Sequence, residues 1–139
     1  MSAEPLGVGV IGMSWVAGEH IKSYQLNPHT KVVALAGADA NRVSSVAAAH
    51  SLASAKQYTR WQDLVDDPAV GIVSICSTNE AHVAQAVAAA KAGKHVLIEK
   101  PVSLDLDGFR QVEGAIAASG VKSQIGFELH WSPYFQSVH

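Results

Sequence analysis

Leu6-Gly7-Val8-Gly9-Val10-Ile11-Gly12-Met13-Ser14-Trp15-Val16-Ala17 is the stretch from which the fold is read. It opens as an apolar run that predicts a strand over Leu6–Ile11 and breaks at Gly12. From about Trp15 it continues with Ala17, Ile21 and Tyr24 on one face at helical spacing. The pattern Gly-x-Gly-x-x-Gly matches literally at Gly7, Gly9 and Gly12. A phosphate-cradling glycine motif, however, must occupy the turn between strand and helix, and Gly7 and Gly9 fall inside the predicted strand. The register that makes physical sense therefore starts at Gly12. Gly12 makes the tight turn, Ala17 is small enough for close helix–strand packing, and Ser14 stands where a second glycine normally lets the backbone approach a pyrophosphate. A serine is small and its hydroxyl can donate to phosphate. The helix beginning near Trp15 directs its free N–H groups and positive dipole end at the same place. Gly12, Met13, Ser14, Trp15 and Val16 are thus candidate pyrophosphate contacts, the alternative being an ordinary tight turn.

Working outward, short β-rich runs alternate with helical patterns, which predicts βαβ units around a parallel sheet. Asn27-Pro28 stops the first helix. Lys31 to Ala38 is apolar nearly throughout, as a strand covered on both faces should be. A helix over about Asn41 to His50, an edge-like strand near Gln57-Tyr58 and a brief helix from Trp61 to Val65 follow, ending at Asp66-Asp67-Pro68. Gly71 to Cys76 reads as the central strand, and Glu80 to Ala92 as an Ala-rich helix closed by Gly93. His95 to Ile98 is the next strand. Leu106, Phe109, Val112 and Ile116 mark an amphipathic helix opened by Asp105 and closed by Gly120, before a last strand at Val121 to Phe127. The expected class is α/β, with a doubly wound, mostly parallel sheet.

The chain has 139 residues, enough for one domain with a real core. Its apolar share of 48% and charged share of 16% are those of a globular chain. A formal net charge of −2 with scattered Lys and Arg argues against a nucleic-acid partner. No run of 18 apolar residues occurs, and the N-terminus lacks a basic region ahead of an apolar one. The expectation is a soluble cytoplasmic domain with no membrane partner. Cys76, the lone cysteine, forms no internal disulfide, and the seven histidines show no metal-ligand spacing, so no metal is expected.

Asp39 follows the second predicted strand, where an acidic residue accepts hydrogen bonds from an adenosine ribose and repels a 2′-phosphate. That favours NAD. Arg42, three residues on, is of the kind that accommodates a 2′-phosphate, which keeps NADP open. Asp39 also reads as an N-cap for the helix starting at Asn41, and the two roles are compatible.

Two further stretches carry a family resemblance. They are Ser77-Thr78-Asn79-Glu80-Ala81-His82, after the central strand, and Ala92-Gly93-Lys94-His95-Val96-Leu97-Ile98-Glu99-Lys100-Pro101. Together they resemble the glucose–fructose oxidoreductase/inositol dehydrogenase (Gfo/Idh/MocA) family of NAD(P)-dependent oxidoreductases, and the element order from Val8 to Pro133 is similar to that family's N-terminal domain. The resemblance implies an NAD(P)-binding Rossmann domain over 1–127 and, over 128–139, the start of a connection to a second α/β domain absent from this chain. It implies hydride transfer between nicotinamide and an alcohol or ketone carbon of a sugar, polyol or related molecule, in a homo-oligomer when full-length.

By the same resemblance, Lys100 faces the substrate beside the nicotinamide and is the catalytic candidate, bonding or relaying the proton of the reacting oxygen. Glu99 and Pro101 would fix it, with a cis bond admitted at Lys100–Pro101. A solvated Glu99–Lys100 ion pair is the alternative. Ser77, Thr78, Asn79 and His82, with Glu99 and Lys100, would line the cofactor cleft, although a histidine at a helix start is equally at home in a structural role. The chain departs from the family pattern at Ser14, at Thr78, where proline is common, and at His130, where arginine is common. Two other classes stay open: a dinucleotide-binding module without turnover, and a non-catalytic paralogue. The aromatics Phe127, Trp131, Tyr134 and Phe135 are expected in an apolar patch facing the second domain.

Overall fold

A computed structural model describes residues 4–127 and 132–137, with nothing to be said of the Phe135 side chain. Six strands form one sheet in the order β3-β2-β1-β4-β5-β6, every neighbouring pair parallel. They are β1 (Leu6–Ile11), β2 (Thr30–Ala36), β3 (Lys56–Tyr58), β4 (Ile72–Ile75), β5 (His95–Ile98) and β6 (Ser123–Ile125). The helices between them are α1 (Trp15–Leu26), α2 (Ala40–Ala49), α3 (Trp61–Val65), α4 (Asn79–Lys91) and α5 (Leu106–Ser119); α6 (Pro133–Gln136) follows β6.

Two apolar cores, one on each face of the sheet, explain the pattern. Val8 and Val10 of β1 join Val32 and Leu35 of β2 against Ala17 and Ile21 of α1 and Val43 and Ala47 of α2. Ile11, Ala34, Ala36, Val73 and Ile75 point the other way, against Leu64 of α3, Ala86 and Ala89 of α4, and Val112 of α5. Strand side chains alternate between faces, so both sets of a central strand must be apolar. The alternation also explains why Gly7 and Gly9 are glycines. A Cβ at Gly9 would come within 2.6 Å of Leu64, and one at Gly7 would collide with the Ala69 carbonyl oxygen. They admit the α3 segment against β1 and belong to the core.

The helix ends follow the sequence. Asp105 caps α5 by accepting from the Gly108 N–H at 2.7 Å, and Gly120 closes it with φ of 68°. Gly93, with φ of 73°, ends the turn after α4. Some expectations are corrected. The second strand ends at Ala36, so Asp39 stands in the loop beyond it as the N-cap of α2. The last strand shortens to Ser123–Ile125. Only Val112 of the expected apolar face of α5 is fully buried; Leu106 and Phe109 are exposed, α5 packing chiefly against α4. Phe127 and Tyr134 are exposed. Trp131, the Phe135 side chain and His130 lie outside the described residues. Among the described residues, no helix is long and apolar enough to cross a membrane.

Candidate cofactor and catalytic site

The strand order reverses direction between β1 and β4, and ligands of open parallel sheets sit in the crevice at that point, beyond the carboxyl ends of the strands. Gly12 makes the crevice. Its φ is 89°, and a Cβ there would come within 2.6 Å of the Cys76 carbonyl group and the Ser77 Cα, so only glycine lets the two chain segments pass. The Lys100–Pro101 bond, at the far side, is cis.

Two clefts meet there and share Ser14, Cys76 and Ser77. The first, about 440 Å³, runs from that meeting point over Met13 and Gly37 to Asp39, Arg42 and Thr78. The second, about 610 Å³, runs past Trp15, Val16 and Asn79 to His20, His82, Glu99 and Lys100. All the candidate cofactor residues therefore border these two adjoining clefts, together the trough.

At the trough's middle, the amino end of α1 is open. Ser14 is its N-cap but makes no side-chain bond to the helix's own amides, and no acidic residue stands in the first turn. The Ser14 hydroxyl instead donates to the Cys76 carbonyl oxygen at 3.0 Å. The hydroxyl thus straps two loops together, and the helix N–H groups and dipole add anion-binding capacity beside it. A diphosphate fits this end: the glycine removes the Cβ, the amides are uncommitted by capping, and no carboxylate competes.

At one end of the trough, a single carboxylate oxygen of Asp39, Oδ1, accepts from the Asn41 N–H at 2.9 Å and the Arg42 N–H at 3.3 Å. The cap thus uses Oδ1 and leaves Oδ2 outside it. Arg42 turns back so that its Nε donates to the Met13 carbonyl at 3.0 Å. At the junction, the Ser77 hydroxyl donates to Gln85 Oε1 at 2.6 Å. Burial, with the Glu99 charge adding to it, pushes the Cys76 thiol up to about 12 against the opposing influence of the nearby Ser74 hydroxyl, so this cysteine is a neutral wall and no nucleophile. Thr78 and Asn79 are exposed at the start of α4.

At the other end, Lys100 is exposed to the trough beside a buried Glu99. Glu99 Oε2 accepts the Lys100 backbone N–H at 3.2 Å, and Oε1 lies 3.0 Å from His20 Nε2. His82 is buried, with Nδ1 2.8 Å from the Pro101 carbonyl and Nε2 3.2 Å from the Ser77 carbonyl. A carbonyl only accepts, so the shorter contact assigns the ring proton to Nδ1. His82 borders the cleft with its Nδ1 bonded to the Pro101 carbonyl, next to Lys100, and its Nε2 facing the Ser77 carbonyl after β4. His20, Ser74 and Gln85 escaped the sequence reading. Their partners lie in other elements, and nothing in local spacing marks them.

The model of the oxidoreductase family with an NAD-binding Rossmann fold matches residues 6–127. The chain belongs to that family. It is 32% identical over 132 residues to the uncharacterized oxidoreductase YrbE of Bacillus subtilis, covering 94% of this chain and 38% of that protein. It is 35% identical over 113 residues to a 1,5-anhydro-D-fructose reductase of Ensifer adhaerens, covering 81% and 33% respectively. Among solved structures, an NAD-binding oxidoreductase from Klebsiella pneumoniae superposes with a TM-score of 0.86 at 30% identity, over 96% of this chain and 37% of that one. The chain thus spans less than two-fifths of each of these three proteins.

Proposed function

We propose that residues 1–127 form the cofactor-binding domain of an NAD(P)-dependent oxidoreductase that interconverts an alcohol and a ketone on a sugar or polyol. Residues 128–139 are read as the start of the connection to a substrate domain. The observation that carries this reading is the pair of adjoining clefts that runs from Asp39, past the open amino end of α1, to Lys100. Asp39 would hold the adenosine ribose, and Gly12, Met13, Ser14, Trp15 and Val16 the pyrophosphate. Ser77, Thr78, Asn79 and His82 would line the passage to Glu99 and Lys100. When bound, the nicotinamide supplies or accepts the hydride.

The chain's own contribution is to put an amine at the reacting end. Lys100 would donate a hydrogen bond to the substrate oxygen and move its proton, while Glu99 fixes the backbone beneath it. The sugar or polyol class rests on the family and on the reductase relative. A homo-oligomeric full-length protein in the cytoplasm completes the reading.

The test is titration of the 139-residue chain with NAD+ and NADP+, followed by assay of the full-length gene product with sugars and polyols for formation of reduced nicotinamide. Cofactor binding with substrate-dependent reduction supports the reading. Binding without turnover in the full-length product would make this a dinucleotide-binding module or a non-catalytic paralogue, and absence of binding would remove the reading altogether.

A further inference from the structure

We propose that His20, on α1, is the positioning residue for Lys100, holding the Glu99 carboxylate so that it in turn fixes the lysine's backbone. The proposal rests on the role given above to Lys100. His20 is 79 positions from Glu99 in the chain, yet the two side chains meet at 3.0 Å with both nearly out of solvent, at 13% and 12% exposure. A carboxylate accepts and never donates, so Nε2 of His20 carries the proton and donates to Oε1 of Glu99.

The other ring nitrogen, Nδ1, lies 2.8 Å from the Ser74 hydroxyl on β4. With a neutral ring, Ser74 donates to Nδ1, and its oxygen is left facing the Cys76 sulfur 3.9 Å away. The imidazole is thus held at both ends, by the floor of the sheet and by the carboxylate. Glu99 has one oxygen on His20 and the other on the Lys100 N–H.

Two further features restrict Glu99 to this position. A Cβ at Gly126, just past β6, would come within 2.6 Å of Glu99 Oε1, so the carboxylate lies directly against bare backbone. The loop's next residue is gripped separately, because His82 bonds to the Pro101 carbonyl. Lys100 therefore sits between two anchored neighbours, and His20 is the only one of these anchors carried by the helix that begins at the pyrophosphate turn. His20, Glu99 and Lys100 line the same cleft. A buried carboxylate without its N–H partner would turn towards water, and small displacements of a reacting group are costly, about 100-fold in rate for 1 Å.

The test uses the full-length protein with His20→Phe, which keeps a ring without hydrogen bonds, and His20→Gln, whose amide can still donate to Glu99. Steady-state kcat, the NAD dissociation constant and hydrogen exchange of the Lys100 amide are measured for each, with Lys100→Met alongside. His20→Phe is expected to lower kcat about 10- to 100-fold, leave cofactor affinity within about twofold and speed exchange at Lys100. His20→Gln should restore most of kcat and the protection.

If His20 merely anchored α1, cofactor affinity would fall together with kcat and the glutamine would not separate them; that result overturns the proposal. So does an unchanged kcat in His20→Phe while Lys100→Met abolishes turnover. Failure of the functional reading looks different, since Lys100→Met itself would then leave kcat intact.

Discussion

The Ser14 hydroxyl is tied to the Cys76 carbonyl oxygen at 3.0 Å, joining the loop after β1 to the end of β4 across the sheet's switch point. The serine in place of a fingerprint glycine therefore straps two loops, and in the proposed reading a diphosphate goes to the backbone amides of α1. Ser14→Ala should cost about 0.5–1.5 kcal/mol of stability, the range for one lost hydrogen bond. NAD affinity should change by less than about threefold, because no charge-assisted bond worth about 1.5–3 kcal/mol is removed. Denaturant unfolding and calorimetric titration check both. A loss of affinity beyond tenfold would mean that the hydroxyl leaves Cys76 for the phosphate on binding.

Asp39 and Arg42 border the same end of the trough with opposite charges. The arginine's Nε is engaged by Met13, so the carboxylate should dominate and NAD should bind more tightly than NADP. Asp39→Asn separates charge from capping, because asparagine and aspartate cap helices about equally well. It should leave stability nearly unchanged, weaken NAD by about 10- to 100-fold through loss of an ionised acceptor worth roughly 1.5–3 kcal/mol, and strengthen NADP. Titration of both cofactors against both proteins decides this. Equal or reversed affinities in the parent chain would remove the role given to Asp39.

The fold was legible because its information is local. Strand and helix periods, Asp105 and Gly120 at the ends of α5, and the break at Gly12 are each read within a few residues. Even the misleading glycines could be set aside by position, although why they are glycines needed α3, which closes on Gly9 through Leu64 from 55 positions away. The trough's residues were found through motifs at strand ends. What stayed hidden were side chains whose meaning lies in distant partners: His20 against Glu99, Gln85 against Ser77, Ser74 against His20. The overestimated apolar face of α5 has a related cause. Periodicity shows which side of a helix is apolar, but not how much of that side its neighbours cover.

Asp67 makes a prediction about stability that is independent of the site. It is buried between α3 and β4, where burial alone would raise its pKa. The Ala69 N–H, Lys56 and Tyr58 bonds nonetheless hold it below its ordinary value of 3.8. A depressed carboxyl contributes stability that is fully present above the unfolded value and is lost as pH falls through the folded one. The parent chain should therefore lose this contribution only in acid below about pH 3.8. Asp67→Asn should cost about 1–3 kcal/mol at neutral pH, flatten the acid end of the stability curve, and leave NAD affinity alone. Urea melts across pH measure it. A neutral-pH stability equal to that of the parent would show that the Lys56–Asp67 pair is a surface contact of no consequence.

Lys100 carries the chemical prediction. Its backbone is fixed by Glu99 and its neighbour's carbonyl by His82, which is how a protein holds one side chain at a reacting centre while leaving it exposed to the trough. If hydride moves to or from the carbon beside it, charge develops on the attached oxygen, and a positioned ammonium answers that charge by a hydrogen bond or a proton. Removing such a group costs about 10²–10⁴-fold in rate. Lys100→Met keeps approximate bulk and removes the proton, so in the full-length protein kcat should fall by that amount while the NAD dissociation constant moves only a few-fold. The split matters: a lysine that only held phosphate or ribose would change affinity first. Because the relatives are more than twice as long as this chain, the 139-residue chain alone should bind cofactor and turn nothing over. Turnover by the isolated chain would show that its own trough completes the substrate site, and an unchanged kcat in Lys100→Met would leave the lysine as a structural member of the loop.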